Sequence, residues 1–221
     1  MPRPARASLG GYCYHVINRG KGRNPVFQTE ADYAAFVRLM IEGNERLPMR
    51  VTGYCLMPNH FHLLLWPHQD GDLSRWVQWV STVHVRRYHL QHAGVGQVWQ
   101  SRFKAFPIQR GDHYLAVLRY VEGNPLRAGL VKRAQDWHWS SLAGHSGARA
   151  RELLSAGPVP KGTGWTRHVN TAQTEAELAR LRQSVNRGTP FGSPAWIERT
   201  ARTMGLESTT RPRGRPRKEK Q

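Results

Sequence analysis

The chain has 221 residues, with 33 Lys and Arg against 15 Asp and Glu and a formal charge of +18. That length allows one sizeable domain with an extension, or two small ones. Positive charge spread along the chain argues for a polyanionic partner, nucleic acid first and an anionic membrane surface second. No apolar run approaches the roughly 20 residues of a membrane span. The basic start is followed by no apolar signal core. A cytoplasmic protein with no membrane partner is expected. Cys13 and Cys55 form no Cys-x-x-Cys pair, so the expectation is two buried thiols, not a structural zinc site.

Residues 1–10 read as a loose basic arm. Tyr12 to Asn18 alternates like a strand, and Arg19 to Pro25 breaks it with a basic, Gly-rich loop. That loop lacks a phosphate-loop fingerprint; it suits a nucleic-acid backbone or a plain solvated loop equally. Thr29, with Asp32 three residues on, predicts a capped helix carrying Tyr33, Phe36, Val37 and Met40 on one stripe. Arg50 to Met57 predicts a second strand. It leads through Pro58-Asn59 into a third, His60 to Pro67, as a tight antiparallel pair.

Alternation on the third strand puts Phe61, Leu63 and Leu65 on a core face and His60, His62 and Leu64 on the other. Asp72 to about Gln91 is the next helix, with Trp76, Val80 and Val83 as its stripe. Trp79, Arg86, Arg87 and His89 fall elsewhere on the wheel, as on a nucleic-acid groove or on an ordinary solvated helix. Val98 to Ile108 reads as a strand or hairpin with Arg102, Lys104 and Phe106 on one face. Asp112 should cap a helix that runs to about Gly123. Tyr120 and Asn124 neighbour each other at its end, where Gly123 and Pro125 stop it. Residues 126–150 have no clear local pattern. Helical patterns return at Thr174–Asn186 and Pro194–Met204, and the final Arg- and Pro-rich stretch is too charged to pack. The order β-α-β-β-α-β-α predicts an α+β sandwich with helices over one sheet. The expected divisions are a basic arm (1–10), one domain (11–145), a linker with C-terminal helices (146–205) and a basic tail (206–221).

A His-x-His on a strand is by itself no more than two histidines on a wetted sheet face. Set beside a tyrosine with an amide four residues on, in a strongly basic chain, it gains a chemical meaning. A phenol, with a reference pKa of about 10, is a weak nucleophile near neutral pH. It becomes useful where a cation stabilises the phenolate and the attacked phosphate. Two neutral imidazoles on a rigid strand could hold such a cation.

Met57-Pro58-Asn59-His60-Phe61-His62-Leu63-Leu64 resembles the HUH motif of the single-tyrosine transposases. Trp99-Gln100-Ser101-Arg102-Phe103-Lys104 resembles, more narrowly, the REP-associated tyrosine transposases, and so does Arg119-Tyr120-Val121-Glu122-Gly123-Asn124-Pro125-Leu126-Arg127-Ala128-Gly129. The resemblance spans roughly residues 10–145. It implies a ferredoxin-like sandwich, with an antiparallel sheet and helices on one face. His60 and His62 match the metal-binding histidines, Tyr120 the nucleophile that takes a 5′ phosphate, and Asn124 a further ligand. The implied cofactor is Mg²⁺ or Mn²⁺. The implied substrate is single-stranded DNA at short palindromic REP-like hairpins, in a nucleoid-associated setting.

Arg19, Arg86, Arg87, Arg102, Lys104 and Arg127 are the candidate DNA contacts in the domain. Arg213 and Arg215 are those of the tail, whose Pro212-Arg213-Gly214-Arg215-Pro216 resembles an AT-hook core. One departure stands out: related insertion-sequence enzymes carry Gln where this chain has Asn124, and Glu122 is an alternative ligand. A monomer is expected, with a dimer that exchanges tyrosine helices as the alternative. Two rival functions remain beside strand cutting and transfer: a hairpin-binding module without chemistry, and a metal-dependent nuclease that uses water.

Overall fold

The computed structural model describes residues 8–92, 95–143 and 152–211. In chain order come β1 (Cys13–Arg19), α1 (Glu30–Arg46), β2 (Met49–Met57), β3 (His60–Pro67), α2 (Asp72–His92), β4 (Lys104–Ile108) and α3 (Asp112–Glu122). This is the expected order. The strands form one antiparallel sheet, β2-β3-β1-β4. The crossover helices α1 and α2 share one face, as a ferredoxin-like α+β sandwich requires, and α3 takes the other.

Sequence explains the layering. Thr29 caps α1 in a reciprocal box with Asp32, which satisfies two of the first-turn donors. Phe36 and Met40 on that helix are completely buried. They pack into the cluster that holds Phe61, Leu63 and Leu65 of β3, together with Trp76, Val77 and Val80 of α2. Each such side chain stabilises the fold by about 1.5–3 kcal/mol through burial. Leu64, one step along β3, sits in the opposite cluster with Leu118 and Val121 of α3. The period-two reading of β3 therefore holds residue by residue.

The approach of α3 is close at one place. A Cβ built on Gly53 of β2 would lie 2.6 Å from Leu118 Cδ1, so that strand position has no room for a side chain. The helix begins after Gly111 at φ 85°, a left-handed conformation that suits glycine; Asp112 is its first residue and not its cap.

One strand expectation is corrected, and one stretch without a clear pattern acquires a role. The stretch from Val98 is not a strand until Lys104. Trp99 makes only an isolated bridge with Gly20, while its ring packs edge-on to Phe61 and tilted to His84 in the α1/α2 core. Burying that indole takes the chain out of strand geometry, so Arg102 does not share a strand face with Lys104 and Phe106. Residues 134–141 also turn out to be structural. The Leu56 amide donates to the Trp139 carbonyl (2.8 Å), and the Ser141 amide donates to that of Tyr54 (2.9 Å), along the free edge of β2. On the opposite edge Phe191 exchanges hydrogen bonds with β4 at Pro107 and Gln109, both 2.9 Å. Covering both edges removes the unpaired amides that invite strand addition.

The short α4 (Asn124–Arg127) follows α3 across Gly123. Further on come α5 (Trp165–Asn170), which the sequence pattern did not show, α6 (Glu175–Arg187) and α7 (Pro194–Met204), which it did. Leu178 and Leu181 of α6 close the α3-side core. Among the described residues, no helix is long and apolar enough to cross a membrane. Cys13 and Cys55 are buried free thiols, and burial drives the Cys13 thiol up to about 12.

Candidate functional site

The site lies on the α3 face of the sheet. In register, Arg19 of β1 pairs with His60, Ile17 with His62 and His15 with Leu64. One pleat therefore aims His15, His60 and His62 to the same side. The rings of His60 and His62 lie 4.9 Å apart between centroids at 79°. His62 is buried and His60 half-buried. Each has its Nδ1 engaged: Asn59 Oδ1 lies 2.6 Å from His60 Nδ1, and His15 Nε2 lies 2.7 Å from His62 Nδ1. Among the described residues neither Nε2 has a hydrogen-bond partner.

Burial is the main cause that keeps these rings neutral. It lowers His60 to about 4, helped by the Arg19 charge, and His15 to about 3, helped by His60. His62 is held well below the ordinary value, first by burial and then by His15 and His60. Neutral imidazoles with free Nε2 lone pairs are the form that ligates a divalent metal. No group of three or more His, Cys, Asp or Glu side chains suited to a metal occurs among the described residues. The donor set therefore fits a cation shared with an amide, water or a phosphate oxygen.

Tyr120 stands over this pair. Its ring centroid is 5.9 Å from that of His62 and 6.4 Å from that of His15, edge-on to both. It is 9% exposed. The Arg127 guanidinium lies over the ring at 4.3 Å. Arg127 also donates to the Tyr120 carbonyl (3.0 Å) and to Asn124 Oδ1 (3.1 Å). Burial lowers the Arg127 pKa, and the neighbouring phenol opposes that shift. Asn124 sits where Gly123 and Pro125 break the helix, half-buried, with its amide oxygen turned to Arg127.

Glu122 does not join the site. Its carboxylate is fully buried and accepts from Ser141 (2.7 Å), Lys161 (2.8 Å) and Trp165 (2.6 Å). It ties α3 to the segments that follow. Arg119, one helical turn before Gly123, does the same by donating to the Thr171 carbonyl at 2.8 Å.

Of the basic candidates, Arg19, Arg102 and Lys104 line one small cavity of about 80 Å³ beside the end of β1, next to His60. Arg86 and Arg87 are exposed on α2, which packs on the opposite face, so the fold does not bring them to the imidazoles. Arg213 and Arg215 lie outside the described residues. Sequence reasoning passed over His15 and the side chain of Asn59. His15 was detectable only through the pairing of β1 with β3, a long-range register that no local pattern carries.

Residues 8–124 match the family described as "Transposase IS200 like". The match covers more than half of the 221 residues, and the chain belongs to that family. Within it, the chain is similar to proteins named REP-associated tyrosine transposases. The one from Escherichia coli (strain K12) is 24% identical over 136 residues, which are 60% of this chain and 77% of that relative. A solved structure of a REP-associated tyrosine transposase bound to a REP hairpin superposes with a TM-score of 0.54 at 20% identity, over 74% of this chain and 96% of that one. That likeness supports the same sandwich fold.

Proposed function

We propose that this chain cuts and rejoins single-stranded DNA beside short REP-like hairpins, with Tyr120 as the nucleophile and a phosphotyrosine ester as the intermediate. The observation that carries the proposal is the placement of Tyr120 and the His60/His62 pair on one face, with a ring separation of 5.9 Å from His62. His60 and His62 would hold a divalent cation, Mg²⁺ or Mn²⁺, through Nε2, with Asn124 as the further protein ligand. Bound there, the cation would supply Lewis-acid polarisation of the attacked phosphate. Tyr120 Oη forms the bond to phosphorus as the bond to the 3′ oxygen breaks. The phenol gives up a proton and the leaving 3′ oxygen takes one up. Arg127 places its positive charge over the phenol ring, 4.3 Å from the centroid. The ester keeps a phosphate diester's energy, so the reverse step joins a new 3′ end.

Arg19, Arg102, Lys104 and Arg127 contact phosphates near the scissile bond. Arg86 and Arg87 on the far face, and Arg213 and Arg215 in the tail, hold more distant DNA. The protein acts as a monomer in the cell's nucleoid.

Tyr120→Phe tests this reading. The variant should bind a hairpin with flanking single strands as the wild type does, yet leave no covalent protein–DNA band on a denaturing gel. A full adduct yield from Tyr120→Phe would overturn the assignment. Cutting by the wild type without any adduct would favour hydrolysis by water.

A further inference from the structure

A metal on His62 Nε2 needs that nitrogen's lone pair, so the ring must carry its proton on Nδ1. The atom facing that Nδ1 is His15 Nε2, at 2.7 Å, with the two rings parallel within 6°. In that plane the Nδ1–H points along the partner's lone pair. We infer that His15 is the positioning residue of this metal site: it accepts the His62 Nδ1 proton and so fixes which His62 nitrogen meets the metal.

Three further observations bear on it. First, the other imidazole is supplied in the same way, because Asn59 Oδ1 lies 2.6 Å from His60 Nδ1 and a carboxamide oxygen can only accept. Both ligands thus have an acceptor behind Nδ1, one from the turn before β3 and one from β1. Second, His15 is wholly buried and held edge-on by Phe106, with ring centroids 5.0 Å apart at 79°, and by Tyr120. Third, His15 Nδ1 is buried without a hydrogen-bond partner. An acceptor role at Nε2 obliges a neutral His15 to keep its own proton on that orphaned Nδ1.

The inference rests on the metal reading above, and the test separates the two. Mn²⁺ affinity is measured in the full chain, without DNA, for the wild type, His15→Phe and His15→Gln. Phe keeps a ring and removes the acceptor. Gln places an amide oxygen near the position of Nε2 and restores it. His15→Phe should lose roughly 10–100-fold in Mn²⁺ affinity, the usual effect of removing an outer-shell partner. His15→Gln should stay within about threefold of the wild type on the same scale. Nitrogen-15 spectra of the Mg²⁺-loaded wild type should show the His62 proton on Nδ1.

Thermal unfolding of each variant reports whether the fold survives. If His15→Phe is unfolded, the nitrogen-15 spectrum and the Gln variant decide alone. Unchanged affinity in a folded His15→Phe would overturn the inference. Equal losses in the Phe and Gln variants would also overturn it, whereas a His62 proton on Nε2 would overturn both the inference and the Nε2 ligation on which it rests. A wild type that fails to bind Mn²⁺ would instead sink the metal reading itself.

Discussion

The two faces of this sheet bury histidine in different company. On the α1/α2 face His84 is 4% exposed among Phe27, Phe36, Trp99 and Tyr88, and its Nδ1 has no partner. On the α3 face His15, His60 and His62 stand side by side under a tyrosine and an arginine. Both groups are held neutral chiefly by burial. What separates them is the direction of their lone pairs. His84 is walled in by rings, whereas His60 and His62 have Nδ1 occupied and Nε2 free. Burial of a histidine therefore says little about function until its neighbours are known.

The contrast can be broken by substitutions on either side. On the α3 face, His60→Ala should reduce DNA cutting by about a thousandfold or more, because metal polarisation is worth several kcal/mol. The loss should persist in both Mg²⁺ and Mn²⁺ and leave the unfolding temperature little changed. A gel time course with the hairpin substrate reads it. On the α1/α2 face, Phe61 neighbours both histidines in sequence and is wholly buried. Phe61→Ala should destabilise the protein by about 3–5 kcal/mol in a denaturant melt. Adduct chemistry should survive in whatever fraction remains folded. If Phe61→Ala removed the chemistry and spared the fold, the two faces would not be separable in this way.

A subtler difference concerns acid. The folded His84 titrates at about 4 against an ordinary 6.5, so the unfolded chain takes up its proton first as pH falls. Its contribution is complete above pH 6.5 and is lost as the pH drops toward 4. His84→Phe should flatten the stability–pH curve in that window by about 1.4 kcal/mol per pH unit. Melts at closely spaced pH values would show it. The smallest effect is expected from the pair Arg102→Ala with Lys104→Ala. Hairpin binding should weaken modestly, and the slope of log K against log salt should fall by about 1.4–1.8, for two phosphate contacts. An unchanged slope would remove these two side chains from the DNA path.

Much of this architecture is written locally. The Thr29–Asp32 box and the alternation of His60 to Leu65 need only a few neighbouring residues, and both are realised as read. So are the order of the elements and the end of α3 near Gly123. The misreadings come where distant chain decides. Trp99 leaves strand geometry because Phe61 and His84 accept its ring. Glu122 looks like a spare ligand two residues from Tyr120, yet helical rotation turns it to Ser141, Lys161 and Trp165. Distant packing also decides which face of the sheet carries Arg86 and Arg87: their helix lies on the side away from the imidazoles. His15 is the clearest case. Its value depends on which residue of β3 it faces, and only the β1/β3 pairing supplies that.

The bare backbone at Gly53 acts as a spacer for everything above it. With a methyl there, Leu118 Cδ1, which would lie at 2.6 Å, would have to shift. Tyr120 lies two residues further along the same helix, edge-on to His15 and His62. One missing carbon on β2 thus leaves the room in which the helix that carries Tyr120 beds directly onto the sheet.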